Sequence, residues 1–207
     1  MKMLAIDSGL TGALALFEDG ELQHYFKMPT YQKITKEKLM QFDLLDGKKQ
    51  YIKSGPNKGK EKMKVRRPEE STRVLDVQSI IGYMREVDQV VIERQNPRPG
   101  NSAGASFTTG INFGKLLACA EWSETPTLLV NPATWKTALH ITMDKDEKKA
   151  LGDDSRLIKK TLKAKAVSLA KHLSGCDFTN SRGTVDHDSA EAALIGYYYF
   201  IKKGQDG

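Results

Sequence analysis

The stretch KMLAIDSGLTGALALFEDGELQHYFKM, residues 2–28, decides how the rest of the chain is read. Residues 2–8 (KMLAIDS) and 12–18 (GALALFE) are apolar-rich runs of strand length, separated by the turn Gly9-Leu10-Thr11. Asp19-Gly20 is a strong hairpin signal, because a two-residue turn needs positive φ and this dipeptide tolerates it. Leu22 to Met28 is therefore predicted as a third strand. Three antiparallel strands open the chain, and Pro29 with the polar residues after it ends the meander.

Further along the chain, residues 30–72 are the least regular part. The segment SGPNKGKEK from Ser54 combines Gly, Pro, Asn and Lys and reads as a mobile loop or hairpin tip. A helix is predicted over Ser71 to Val87, with Val74, Val77, Ile80, Ile81 and Met84 on one face. QVVIERQ, residues 89–95, is a short β-branched apolar run, read as a buried parallel strand ending at Glu93. NPRPGNSAG is a loop, and Phe107 to Trp122 a helix whose Gly110, Gly114 and Ala118 make a smooth face for close packing. Thr127 to Val130 is another buried strand, Thr161 to Leu173 a helix, and Asp188 to Ile201 the last one. The order βββ-α-β-α-β-α-α fits an α/β fold: a five-stranded mixed sheet, three antiparallel strands then two parallel ones, with helices on both faces.

A chain of 207 residues suits one domain, here carrying a basic insertion at about 30–72. The apolar and charged fractions, 39% and 28%, exclude a disordered chain. No apolar run is long enough for a membrane span, and the first residues lack the features of a signal peptide, so a cytoplasmic protein is expected. Cys119 and Cys176 have no metal-like spacing and read as two reduced thiols. The net charge of +6 is local. Lys48, Lys49, Lys53, Lys58, Lys60, Lys62, Lys64, Arg66 and Arg67 face one acid, Glu61, which leaves the rest of the chain at −2. Such an arm is what phosphate-backbone binding needs, since each neutralised phosphate releases counterions; a solvated, self-repelling loop would look similar.

Acids stand out where a carboxylate is costly. Asp7 ends the apolar run MLAI and Glu93 ends VVI. A carboxylate beside a buried strand must be paired, hydrogen-bonded or metal-bound. Asp186-His187-Asp188-Ser189-Ala190-Glu191 opens the last helix, where Asp188 and Glu191 share a face, or alternatively form an N-cap and capping box. Together the acids suggest a two-metal site for phosphodiester hydrolysis. Hard oxygen ligands suit Mg²⁺ or Mn²⁺; zinc would want more His and Cys.

These segments also carry a resemblance. LAIDSGLTGALAL is similar to the first strand–turn–strand of RuvC-type resolvases, and VVIERQNPRPGNSAGASFTTGINFG resembles the second signature of the phage-type members. NPATWKTAL resembles the segment that supplies a basic residue, and DHDSAEAALIGYYY the terminal helix. The resemblance implies a ribonuclease H-like fold and a nuclease that cuts branched DNA, above all the four-way Holliday junction. It implies two Mg²⁺ ions per site, with Mn²⁺ as substitute, held by Asp7, Glu93, Asp188 and Glu191; Asp186 is an alternative to Asp188. One ion would activate a water and the other would stabilise the departing 3′ oxygen. Lys136 and Lys163 would hold phosphate charge, with Lys165 as the alternative to Lys163. Arg94 and Arg98 flank the second acid as candidate phosphate contacts, and His187 is a candidate ligand or base. The resemblance also implies a homodimer through the helix after Glu93, and, for a phage protein, action in the host cytoplasm. The chain departs from the bacterial pattern at Asn96, where those enzymes place a junction-holding aromatic, so that Phe107 or Phe113 would have to serve.

Other readings share parts of this sequence. IDSGLTGALAL also resembles the phosphate-binding turn of sugar kinases and actin-like ATPases, whose further nucleotide motifs are not found here. A structured-RNA nuclease or a broad DNA-debranching enzyme would keep the fold and change the substrate. A non-catalytic nucleic-acid binder would use the basic arm and leave the acids as caps and ion pairs.

Overall fold

The structure, a computed structural model, describes residues 1–36, 39–42, 44–45, 48–67, 70–96, 100, 102–180 and 183–205. The chain forms two compact units, Met1–Pro29 with Leu75–Gly207, and Thr30–Val74.

The first unit opens with β1 (Lys2–Asp7), β2 (Ala13–Glu18) and β3 (Glu21–Lys27), paired antiparallel as expected. Asp19 and Gly20 both adopt positive φ, +50° and +91°, the backbone a tight hairpin turn requires.

The second unit holds two-stranded ribbons: β4 (Thr30–Lys36), β5 (Leu39–Phe42), β6 (Leu44–Leu45), β7 (Lys48–Lys49), β8 (Met63–Arg67) and β9 (Glu70–Leu75), whose last residue belongs to the first unit. β4 lies against β9, β5 against β8 and β6 against β7. SGPNKGKEK is a hairpin tip, closed by the Tyr51–Glu61 bridge and by Ile52 and Lys60 hydrogen-bonding across it.

The chain then runs through α1 (Val77–Arg85), β10 (Gln89–Glu93), α2 (Ala103–Ser123), β11 (Thr127–Val130), α3 (Pro132–Ala138), α4 (Lys145–Ala150), α5 (Ser155–Ser174) and α6 (His187–Gln205). The sheet order is β11-β10-β1-β2-β3, with β1, β10 and β11 parallel. This is the five-stranded mixed sheet with helices on both faces.

Alternation of side chains along each strand divides the interior into two cores. Met3, Ala5, Ala13, Ala15, Phe17 and Val91 point to one face, under Ala192, Ala193, Leu194 and Ile195 of α6 and Trp135 of α3. Leu4, Ile6, Leu14, Val90 and Ile92 point to the other, under Ile80 and Met84 of α1 and Leu116 of α2. Burial on both faces explains why β1 and β10 read as nearly continuous apolar runs. No helix among the described residues is long and apolar enough to cross a membrane.

Several boundaries differ from expectation, each for a local reason. Residues 71–75 are strand, not helix, because α1 starts only after Asp76, whose side chain accepts from the Ser79 N–H. α2 and α5 start earlier than expected, at Ser102 and Asp154 caps. α3 and α4 lie outside the helices expected from sequence. α3 begins with Pro132 at a position that suits proline's fixed φ, and α4 with an Asp144–Glu147 capping box. Gly110 and Gly114 are exposed with open space where a Cβ would stand, so their smooth face packs on nothing among the described residues.

Gly196 sets how closely α6 lies on β2. A Cβ there would stand 2.2 Å from Cε2 of Phe17, a fully buried ring held edge-on by Tyr197 with centroids 5.1 Å apart. In an open helix, Gly→Ala stabilises by about 1 kcal/mol. At this position overpacking wins, and Gly196→Ala is expected to destabilise by about 1–3 kcal/mol. Thermal denaturation should show Tm falling about 2–4 °C per kcal/mol in a chain of this size; a rise in Tm would show that α6 does not approach the sheet this closely.

Candidate functional site

Asp7 is the last residue of β1 and Glu93 the last of β10, and the two strands run parallel with Ile6 opposite Ile92. Asp7 continues the row of Met3 and Ala5, and Glu93 the row of Val91, so both carboxylates lie on the α6 side of the sheet. The first turn of α6 brings Asp188 and Glu191, three residues apart on one face, to the same end.

All four acids line one cavity of about 450 Å³, together with Lys136 of α3 and Lys159 and Lys163 of α5. Of the two lysines that the sequence offers on α5, Lys163 is therefore the one at the cavity. Lys165 is placed elsewhere, donating to Glu147 at 2.6 Å. Ser8, Thr11 and Gln95 also line the cavity. Gln95 Nε2 donates to the Ser8 carbonyl and hydroxyl, each at 2.7 Å, and the Ser8 hydroxyl donates to the Glu93 carbonyl at 2.7 Å. These bonds tie the two strand ends to each other.

The acids crowd negative charge into a partly dry place. Burial pushes the Asp7 carboxyl well above the ordinary aspartate range, and the charges of Glu93, Glu191 and Asp188 push the same way. Glu93, 5% exposed, is also raised, chiefly by burial, against the opposing pull of Lys136 and of a hydrogen bond from Trp135. That bond runs from Trp135 Nε1 to Glu93 Oε1 at 3.1 Å. Lys136 Nζ lies 3.4 Å from Glu191 and 4.8 Å above the Trp135 ring. One buried indole thus positions both an acid and the lysine that faces it.

Asp186 and Asp188, left open by sequence, have different jobs. Asp186 caps α6: its carboxylate accepts from the Ser189 N–H at 3.1 Å and the Ser189 hydroxyl at 2.9 Å. Asp188 lines the cavity, so it is not the cap that a capping-box reading would make it. Lys27, at the end of β3, bridges the two acids at 2.5 Å and 2.9 Å. Burial opposes ionisation of Asp186, but the bonds from Lys27 and Ser189 prevail and hold its carboxyl below the usual range.

Other candidates fall away from the cavity. His187 lines a neighbouring concavity instead. Arg94 is exposed just beyond β10 and is not part of the cavity lining. Lys53, Lys58, Lys60 and Lys62 are in the second unit, at the hairpin tip and its base. Arg98 lies outside the described residues, as do the side chains of Lys48, Lys49, Lys64, Arg66 and Arg67. Sequence reasoning missed Lys27, Trp135 and Lys159. Lys159 had a signal, standing one helical turn before Lys163; Lys27 had none, because only the fold brings β3 beside α6.

Among the described residues no group of three His, Cys, Asp or Glu side chains is already drawn together tightly enough to hold a metal ion. Trp135, Lys136 and Lys27 each hold one of the carboxylates instead. The donor chemistry still fits a hard divalent cation: four carboxylates face one cavity, no thiol lines it, and Asp7 is half-buried beside like charges.

Without a cation, Asp7 works against the fold at neutral pH. Its folded pKa is raised, so its contribution is fully present below the unfolded value of about 3.9 and is lost as pH rises through the folded one. Asp7→Asn cannot acquire that charge. In EDTA at neutral pH the variant should be more stable by about 1–2 kcal/mol, seen as a Tm about 2–8 °C higher. Mg²⁺ or Mn²⁺ should raise the Tm of the natural chain and do less for the variant. A lower Tm for Asp7→Asn in EDTA would show that Asp7 is satisfied by the protein alone.

No family model matches the chain, and no curated protein matches it. Among solved structures, Thermus thermophilus RuvC in complex with a Holliday junction substrate is similar over 99% of this chain and 96% of that one, at 13% identity and a TM-score of 0.50. A second Thermus thermophilus RuvC structure aligns over 99% and 97% of the two chains, at 16% identity and a TM-score of 0.43. The sheet order and the first of these similarities give the chain a ribonuclease H-like fold of the kind found in RuvC.

Proposed function

We propose that this protein is a divalent-metal-dependent endonuclease that cuts branched DNA, resolving four-way junctions by paired symmetric nicks. The observation that carries the proposal is the meeting of Asp7, Glu93, Asp188 and Glu191 in one cavity whose wall also carries three lysines. A cluster of acids alone repels a phosphodiester; a cluster facing lysines suits a metal-bridged phosphate. The fold is shared with RuvC in a Holliday junction complex, which supports junction DNA as the substrate. The Pro/Gly/Ser-rich sequence after Glu93 favours the phage-type branch.

Mg²⁺ held by the four carboxylates, or Mn²⁺ in its place, would supply Lewis acidity to activate water and stabilise the departing oxygen. The chain's own residues do the rest. Asp7 and Glu93 are fixed by strand ends that Ser8 and Gln95 bind together. Lys27 orients Asp188 through its bond to that carboxylate, and Asp186 anchors the helix turn that bears it. Lys136, braced over Trp135, presents positive charge to a phosphate oxygen, as Lys159 and Lys163 do from α5.

Symmetric nicking calls for two copies of the site related by a two-fold axis. The open face of α2 is the candidate contact: Phe107 and Trp122 are 71% and 69% exposed there, with Gly110 and Gly114 between them.

The test is a nicking assay with Mg²⁺ on a labelled synthetic four-way junction, with duplex DNA and structured RNA alongside. Paired symmetric nicks on the junction are expected, with Asp7→Asn lowering the rate by at least about a thousandfold while binding persists. Equal cutting of all branched DNAs, or of RNA, would move the substrate; cutting of nothing would leave a binding protein. Gly114→Trp should shift sedimentation from dimer to monomer, and a variant that still sediments as a dimer would place the contact elsewhere.

A further inference from the structure

α5 carries a second feature, separate from the acidic cavity. Arg156, Lys159, Lys160 and Lys163 stand at i, i+3, i+4 and i+7, so one stripe of the helix is wholly cationic. These four side chains and His187 line a concavity of about 430 Å³ with no acid in its wall. Lys159 and Lys163 line the acidic cavity as well, so the two hollows adjoin and share these side chains as wall.

The charge on this stripe is uncompensated. Among the described residues none of the four makes an ion pair, whereas Lys27, Lys136, Lys165 and Lys171 all do. Like charges one turn apart weaken a helix, so the pattern opposes α5 unless a polyanion lies on it. From Arg156 to Lys163 the helix axis advances about 10 Å. A B-form strand carries one phosphate per about 3.4 Å of axis, so the stripe spans about three consecutive phosphates.

We propose that this basin is a phosphate-binding subsite that grips the strand being cut, holding two or three consecutive phosphates on one side of the scissile one. The inference rests on the nuclease reading above and adds to it which part of the substrate is held and by which residues. Adjacency to the cavity is the reason for assigning the cut strand. A strand whose scissile phosphate sits among the acids must leave the cavity, and Lys159 and Lys163 belong to both walls. The basin is also distinct from the basic hairpin tip of the second unit, which lies in a different part of the chain.

The test uses the double variant Arg156→Gln/Lys160→Gln, because neither residue lines the acidic cavity. Binding to the four-way junction is measured across a salt series in Ca²⁺, and steady-state nicking in Mg²⁺. The salt slope, d log K/d log[salt], should fall by about 1.4–1.8, which is about 0.7–0.9 for each of the two phosphates no longer neutralised. KM should rise about tenfold at moderate salt with kcat unchanged, and circular dichroism should match the natural chain. Neutral methylphosphonates beside the scissile phosphate on the cut strand should weaken the natural chain and have little further effect on the variant. An unchanged salt slope and KM, on a junction that the natural chain cuts, would overturn the subsite and leave the nuclease reading standing. Sensitivity to methylphosphonates on the uncut strands alone would overturn the assignment to the cut strand. A natural chain that neither binds nor cuts branched DNA would overturn the nuclease reading, and the subsite with it.

Discussion

Four carboxylates at one end of a largely apolar sheet repel one another, and much of the surrounding structure manages that repulsion. Two charges a few ångströms apart interact far more strongly in a protein interior than in water. Asp7 and Glu93 arrive there because β1 and β10 are parallel neighbours ending at the same level, each with its last side chain on the α6 face. Asp188 and Glu191 arrive because α6 lies tightly on β1 and β2, through alanines and Gly196. Trp135 then holds Glu93, Lys136 faces Glu191, and Lys27 holds Asp188. Among the described residues Asp7 is left with no cation bonded to it, and its carboxyl is pushed well above the ordinary range. A protein built only for stability would gain by replacing it, so the arrangement points to a ligand that supplies positive charge.

The positive charge of the chain is organised around that need in two ways. At the acids, Lys136 is held by Glu191 and the Trp135 ring, and Lys27 by two aspartates. On α5, four cations stand in a row with no ion pair among the described residues. Paired lysines orient the carboxylates they hold and are poor at attracting a distant polyanion; unpaired ones do the reverse. The hairpin tip of the second unit adds further exposed lysines, Lys53, Lys58 and Lys60. Gross charge therefore says little, since outside Lys48–Arg67 the chain is net acidic, and placement says much more.

Much of this was legible in the amino-acid order, and the limits have physical causes. The opening meander was readable because strand length, Asp19-Gly20 and Pro29 are all local signals. Asp7 and Glu93 stood out because a carboxylate ending an apolar run is costly wherever the strand goes. Choosing between Asp186 and Asp188 needed the fold, since both suit a helix start and only the turn geometry shows which one caps. Lys27 and Trp135 could not be found by spacing, because their partners lie 159 and 42 residues away. The strand at residues 71–75 reads as helix in the sequence because Val74 continues the apolar spacing of α1; pairing with β4 decides its conformation.

We propose that the four carboxylates form one metal site. Its most direct test is X-ray diffraction from crystals grown with Mn²⁺, with data taken at the manganese absorption edge. Two anomalous peaks about 4 Å apart are expected, bounded by Asp7, Glu93, Asp188 and Glu191, with Lys27 or Lys136 displaced from its carboxylate. Full Mn²⁺ exposure with no peak between these four residues, and with the lysine–carboxylate pairs intact, would contradict it.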